Sequence, residues 1–368
     1  MRGVLEPIRE LDAATAAAWG ELAAAPLEPN PFFDPRLATA AARHLPGGEE
    51  DRLLAVYDGE AMVLALPVRR VARYRRVPMP TLVGWGHAHS YLDTPLVAGA
   101  DPAGAFACAL DVAAGAGARW LVLESSPCDG PVRKALDTAL GRRGGQAAAL
   151  LPYQRPVVRR REAPTYLDGR LSGQRRKKLR RQRRRLEEHL GPVRIRDLAG
   201  TDFDRGLERF LAQEQAGWKG QEGTALASDV GPARFFREGM GAFAQAGRAQ
   251  AWVLEAGDAT VATLCAVVGG RGAFHVKTAY DERHARLSPG VQLELGVLEA
   301  FHADPGLDWI DSCTEGEDSP SGLLYPDRRP MQTLVVPLDE GARLGARALR
   351  QGLRWRARLA RDDRAAEP

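Results

Sequence analysis

The stretch FHVKTAYDERHARLSPGVQLELGVLE, residues 274–299, decides how this chain folds. It begins as a strand, continues as a short charged loop, and opens a helix on Ser288-Pro289-Gly290. Ser288 is suited to an N-cap, Pro289 to the first helical turn, and Gly290 to the close approach of a ligand to the backbone. The first-turn amides of such a helix lack internal partners and sit at the positive end of its dipole, so they form an anion cradle. A strand that delivers Lys277, Tyr280 and Asp281 beside that cradle has the layout of a reaction site for a phosphate-bearing donor. An ordinary strand-to-helix connection looks the same locally, so the surroundings have to separate the two readings.

Working outward, the chain repeats one order of landmarks twice. The first half has a helical stretch (11–25), Pro31-Phe32-Phe33 leading a second helix, and the hairpin LLAVYDGEAMVLALPV turning at Asp58-Gly59. A helix opening at Asp101-Pro102 and the strand RWLVLESS, with Trp120, complete it. The second half has a helix near 204–214, Phe235-Phe236 leading another, and AWVLEAGDATVATLCAVV turning at Gly257-Asp258. The helix after Pro289 and the strand DWIDSC, with Trp309, close the set. Recurrence in this order predicts a tandem α/β fold. The expected divisions are 1–150 for the first module, 151–192 for a linker with a basic helix, 193–340 for the second module, and 341–368 for a basic C-terminal helix and tail.

Composition narrows the classes. The 368 residues are 45% hydrophobic and 27% charged, as in a globular protein, and no apolar run approaches a membrane span. The amino terminus lacks a signal-peptide core, and the four cysteines (Cys108, Cys128, Cys265, Cys313) form no C-x-x-C pair. Both features point to a reduced, cytoplasmic protein without structural zinc or disulfides. The net charge is +4, yet nine of the eleven residues from Arg175 to Arg185 are basic. Taking those nine from the total leaves the rest of the chain at −5. The chain carries no G-x-S-x-G elbow and no Walker loop, which argues against hydrolase and NTPase chemistry. His87 and His89 form an H-x-H pair on a Gly-rich loop, but no neighbouring Cys or carboxylate set supports a metal, so none is expected. Contact with an acceptor is the alternative role for that loop.

The segments RRKKLRRQRRRLEEHLGPVRI, EQAGWKGQEGTAL, VKTAYDERHARLSPGVQLELGVLEAF, DWIDSC and LYPDRRP, in this order, resemble the CelD/BcsL-like acetyltransferase family of the GNAT superfamily, related to the FemAB peptidyltransferases. The resemblance covers residues 165–337 well and the first half more loosely. It implies two GNAT-like modules with mixed, mostly antiparallel sheets flanked by helices, and donor and acceptor meeting on the second. One departure stands out. The superfamily cradles the CoA pyrophosphate with a [Q/R]-x-x-G-x-[G/A] loop, and here Ala285 stands where Gln or Arg would be, with Arg286 beside it as a substitute.

Acyl transfer to an amine or hydroxyl needs a base, a positioned acceptor and donors for the developing oxyanion. The catalytic candidates are Asp281 just past the strand end, Glu214 at a helix end, and Tyr325, which the resemblance casts as acid for the departing thiolate. The acceptor side is assigned to Trp218, Lys219, Lys277, Asp311 and Arg328. Asp311 is read either as a site carboxylate or as the partner of Lys277. The donor cradle is assigned to Arg286, Ser288, Gly290 and Val291. Each residue also has a plain structural role open to it: loop capping for Asp281, helix-end packing for Trp218, core packing for Tyr325.

The expected activity is direct transfer from acyl-CoA to an amine or hydroxyl of a small-molecule or saccharide-like acceptor, with no tightly bound cofactor. Aminoacyl-tRNA is the alternative donor, as in the Fem branch, with the basic run 175–185 as its contact. A non-catalytic nucleic-acid-binding module is the third reading. The C-terminal helix, with Arg343, Arg347, Arg350 and Arg354 on one face, is expected to be a solvated outer helix.

Overall fold

The computed structural model describes residues 1–85, 87–316 and 319–365, with side chains through residue 353. In chain order the first half runs β1 (Arg2–Pro7), α1 (Ala13–Ala24), α2 (Pro35–His44), β2 (Asp51–Asp58), β3 (Ala61–Val71), β4 (Thr81–Gly84), β5 (Leu96–Val97), α3 (Pro102–Gly115), β6 (Trp120–Pro127), α4 (Pro131–Arg142) and β7 (Ala148–Arg159). The second half runs α5 (Gly173–Leu190), β8 (Val193–Asp197), α6 (Phe203–Ala216), α7 (Trp218–Gln221), α8 (Val230–Gln245), β9 (Ala249–Ala256), β10 (Ala259–Gly269), β11 (Gly272–Tyr280), α9 (Pro289–Ala303), β12 (Trp309–Asp311), α10 (Pro320–Leu324), β13 (Asp327–Pro337) and α11 (Glu340–Ala365). No helix among the described residues is long and apolar enough to cross a membrane.

The chain forms two compact units that are not continuous in sequence. Unit 1 takes residues 1–35, 47–153 and 330–368; unit 2 takes 36–46 and 154–329. The sheet of unit 1 runs β1-β2-β3-β4-β6-β13, and that of unit 2 runs β8-β9-β10-β11-β12-β7. In each, neighbours are antiparallel except for one parallel pair, β4 with β6 and β11 with β12. A long helix provides each parallel crossover, α3 in unit 1 and α9 in unit 2. The outer hairpins turn at matching places: Gly59 (φ +61°) and Gly257 (φ +56°) supply the left-handed conformation that a tight turn requires.

The consecutive division expected from sequence misses one exchange. Each unit's run of strands closes on a strand from the other half of the sequence: Met331–Pro337 of β13 pairs with β6, and Val157–Arg159 of β7 pairs with β12. Nor is α5 a free linker. Its stripe Leu179, Gln182 and Leu186 is buried, and both leucines join the core formed by Leu254, Leu264, Leu293, Val297, Phe301 and Ile310. Burying side chains of this kind contributes roughly 1.5–3 kcal/mol each. In unit 1, Trp120 is fully buried and its Nε1 donates to Ala342 O at 2.9 Å, which ties α11 to the strand after the crossover.

Candidate functional site

The parallel pair in unit 2 holds for three residues only, ending where Phe274 faces Asp311. Beyond that point β11 continues to Tyr280 without β12, so the two strands open into a fork. The β10–β11 register also slips here: Cys265 faces Lys277 and Ala266 faces His275, leaving Val276 as a bulge. Past β11 the chain makes a 3-10 turn (Glu282–Leu287) and enters α9.

Ser288 does stand at the N-cap, but it does not cap. Its backbone is left-handed (φ +54°, ψ 53°) and its side chain bonds none of the first-turn amides. Ser288 Oγ instead accepts from Gln182 Nε2 of α5 at 3.1 Å, and the same amide donates to Arg286 O at 2.7 Å. A left-handed backbone favours glycine, and here a serine holds it. Gly290 is buried, and a Cβ there would meet Pro320 and Tyr280 only at ordinary contact distance, 3.6 and 3.8 Å. Val291 is half-buried and the Arg286 side chain is exposed. In unit 1 the equivalent helix start is closed: Asp101 Oδ1 accepts from Gly104 N at 2.9 Å.

Beside the fork, a small pocket of about 40 Å³ is lined by Gln213, Glu214, Trp218, Lys219, Tyr280 and Glu282, among others. Glu214 is 3% exposed at the end of α6. Its Oε1 accepts from Lys219 Nζ and Lys277 Nζ, each at 3.2 Å, and its Oε2 from Leu226 N at 2.9 Å. Burial pushes the Glu214 carboxyl up, but Lys277, the Leu226 amide and Lys219 together outweigh it and hold the group below the ordinary carboxylate range. Burial also pushes Lys277 down, against the pull of Glu214. Trp218 is 50% exposed, and Lys219 Nζ lies 5.8 Å from its ring centroid. Glu282 accepts from Trp218 N at 2.7 Å and so fixes the start of α7 against the turn after β11.

Several expected residues have other engagements. Asp281 caps the 3-10 turn through Arg283 N at 3.0 Å and is paired with the Arg283 guanidinium, which lowers its pKa. Asp311 does not meet Lys277. It is fully buried, accepts from Cys313 N at 2.8 Å, and lies 3.6 Å from Arg155 and 3.7 Å from Arg329. Arg328 braces the chain by donating to Tyr325 O, Asp327 O and Gly322 O.

Tyr325 is fully buried, and its hydroxyl donates to Glu294 Oε2 at 2.7 Å. An ionised carboxylate only accepts, so the 3.0 Å contact of this hydroxyl with His275 Nδ1 has the imidazole as donor. Ser321 Oγ donates to Glu294 Oε1 at 2.9 Å. Burial, then the adjacent Glu294, raise the Tyr325 pKa well above its usual value, which makes it a poor acid. His275, Glu294 and Arg155 are the residues the sequence reading missed. For Glu294 the signal was available, an acidic residue in the apolar run LELG. In unit 1, His87 packs edge-on against Trp85 and burial pushes its pKa down to about 3. Among the described residues no group of three or more metal-ligating side chains occurs.

Residues 173–319 match the family described as acetyltransferase (GNAT) domain, and the match begins where α5 begins. A comparison with curated proteins finds no match. Among solved structures, FemX superposes with a TM-score of 0.57 at 9% identity, covering 92% of this chain and 97% of its own. The C-terminal domain of a candidate lysylphosphatidylglycerol synthetase from Agrobacterium fabrum gives 0.54 at 12% identity, covering 91% and 95%. A conserved protein of unknown function from Bacteroides thetaiotaomicron gives 0.54 at 11% identity, covering 89% and 98%. These are likenesses of fold. With one strand order in both units, the fold is a tandem of GNAT-like modules.

Proposed function

We propose that this chain is an acyltransferase of the CelD/BcsL-like kind, moving an acyl group from acyl-CoA to an amine or hydroxyl of a small acceptor by direct transfer. The observation that carries this reading is the start of α9: a crossover helix beside a strand fork, whose N-cap Ser288 side chain leaves the first amides uncapped among the described residues. The amides at Gly290 and Val291 then hold the carrier's phosphate, and the fork receives the acyl arm.

The acceptor enters past Trp218 and Tyr280. Glu214 is the group that takes its proton, because Lys219 and Lys277 keep the carboxylate ionised across the working pH range. Such a base is weak, but the proton on the nitrogen of a forming tetrahedral adduct is acidic enough for it. Asp281, already committed to Arg283, serves the turn and not the chemistry. Tyr325, Glu294 and His275 brace α9 against β11 from behind the fork.

A thermal-shift panel with CoA, acetyl-CoA and longer acyl-CoAs tests the donor, because a ligand that binds only the native state raises its melting temperature. No shift with any of them sinks the reading. A second donor, aminoacyl-tRNA, is favoured by one observation. Arg175, Lys177, Lys178, Arg180, Arg181 and Arg185 are exposed on α5, the helix that Gln182 anchors to Ser288. Charged tRNA therefore belongs in the same panel. A shift with it that disappears at high salt, and none with CoA, would move the assignment to that donor.

A further inference from the structure

Unit 1 carries a cleft that the transferase reading does not use. It encloses about 260 Å³ between the turn after α4, residues 144–148, and the first turns of α11. Arg343, Arg347 and Arg350 line it, and no carboxylate does. The helix is amphipathic in a way that fixes this wall. Ala342 and Ala346 are buried in the cluster around Trp120 and Val335, and Leu349 and Leu353 pack against the same cluster. Those four positions form a helical stripe, and each of the three arginines follows a stripe residue by one place. The guanidinium row therefore borders the docked seam instead of occupying the far, solvated side.

The opposite wall is made to admit it. Gly144 is left-handed (φ +63°), and a Cβ on Gly145 would sit 3.2 Å from Arg343 Nη2. Arg343 Nη2 also donates to Arg143 O at 3.3 Å, which holds the first guanidinium in the cleft. Three neighbouring arginines of the unit are matched by acids: Arg119 by Asp339, Arg133 by Asp137, Arg143 by Asp111. Among the described residues Arg343, Arg347 and Arg350 have no such partner. Three like charges along one wall repel each other until an anion enters. Guanidinium forks match phosphate oxygens two at a time, which singles out the anion best suited to the site.

We infer that this cleft binds a phosphate-bearing ligand, with Arg343, Arg347 and Arg350 as its cationic wall. The test titrates the full chain with pyrophosphate by calorimetry, and separately with phosphatidylcholine vesicles with and without phosphatidylglycerol. It compares wild type with R347Q/R350Q, a variant that leaves the Arg343 bond and the alanine stripe intact. Pyrophosphate binding that weakens at least tenfold in the variant assigns the cleft to a free phosphate ligand. Binding to the anionic vesicles alone, lost in the same variant, assigns it to a lipid headgroup. If neither probe binds, or if the variant binds each as wild type does, the inference is overturned.

Discussion

The crossover helices of the two units, α3 and α9, begin alike in sequence and differ in chemistry. Asp101-Pro102 and Ser288-Pro289 both read as cap and first-turn pairs, and both helices link the parallel strands of their sheet. In α3 the cap is a carboxylate that fills its own amides. In α9 it is a left-handed serine whose hydroxyl is turned toward Gln182, so Ser288 does not cap the first amides. The same contrast runs through the strands that follow. The third position of each parallel pair holds Val122 in unit 1 and Asp311 in unit 2. The last turn of α1 buries Leu22 and Ala23, whereas that of α6 buries Glu214. Unit 1 buries charge as well, at Asp34, Asp51 and Asp93, but at these two matched positions only unit 2 carries a carboxylate.

If that contrast is right, the largest effect should come from Asp311. Asp311→Ala leaves Arg155, 1% exposed, beside a neutral site, and chemical denaturation should register a loss of about 3–5 kcal/mol. A loss below about 1 kcal/mol would mean that the buried charges of unit 2 are incidental. Glu214→Gln should lower turnover roughly 10²–10⁴-fold in an acyl-transfer assay. It should also remove the part of the stability that is present above about pH 4.5, the range where the unfolded carboxylate ionises. Full turnover in that variant would take Glu214 out of the mechanism.

The caps give a smaller, paired effect. Asp101→Ala should cost about 1 kcal/mol, while Ser288→Gly should be neutral or slightly stabilising, because glycine accepts φ +54° without strain. Equal losses at the two sites would erase the distinction between the helices. Asp197 should show the smallest change. Burial pushes its pKa up to about 6, so the folded state binds this proton more tightly than the unfolded chain does. Its contribution is best at low pH and declines as pH rises through that value. Asp197→Asn should therefore gain in melting temperature over wild type between pH 4 and pH 7, and a constant difference would contradict the shift.

Much of this was legible in the sequence, and the residues explain which parts. Period-two apolar runs, glycine turns and Pro-led helices act within a dozen residues, so the duplicated rhythm and the crossover at residues 274–299 could be read directly. The exchange of β7 and β13 could not, since strand pairing over more than a hundred residues leaves no local trace. Glu214, Trp218, Lys219 and Lys277 do come together, because spaced landmarks on α6 and β11 flank one pocket. Asp281 and Asp311 have partners that the sequence could not name, for a shared reason. A carboxylate near a site looks catalytic until its actual partner is known, and Arg283 and Arg155 are chosen by three-dimensional proximity. The strand odd-man His275 went unremarked because its partners, Tyr325 and Glu294, arrive from α9 and the turn before β13.

The contrast between the helix starts can be tested by giving α9 the device that closes α3. Calorimetric titration of CoA into wild type, Asp101→Ala and Ser288→Asp is that measurement. The account predicts one CoA per chain for wild type and for Asp101→Ala, and at least a tenfold weaker affinity for Ser288→Asp, whose carboxylate occupies the amides. Equal CoA affinity in wild type and Ser288→Asp, or loss of binding in Asp101→Ala instead, would contradict it.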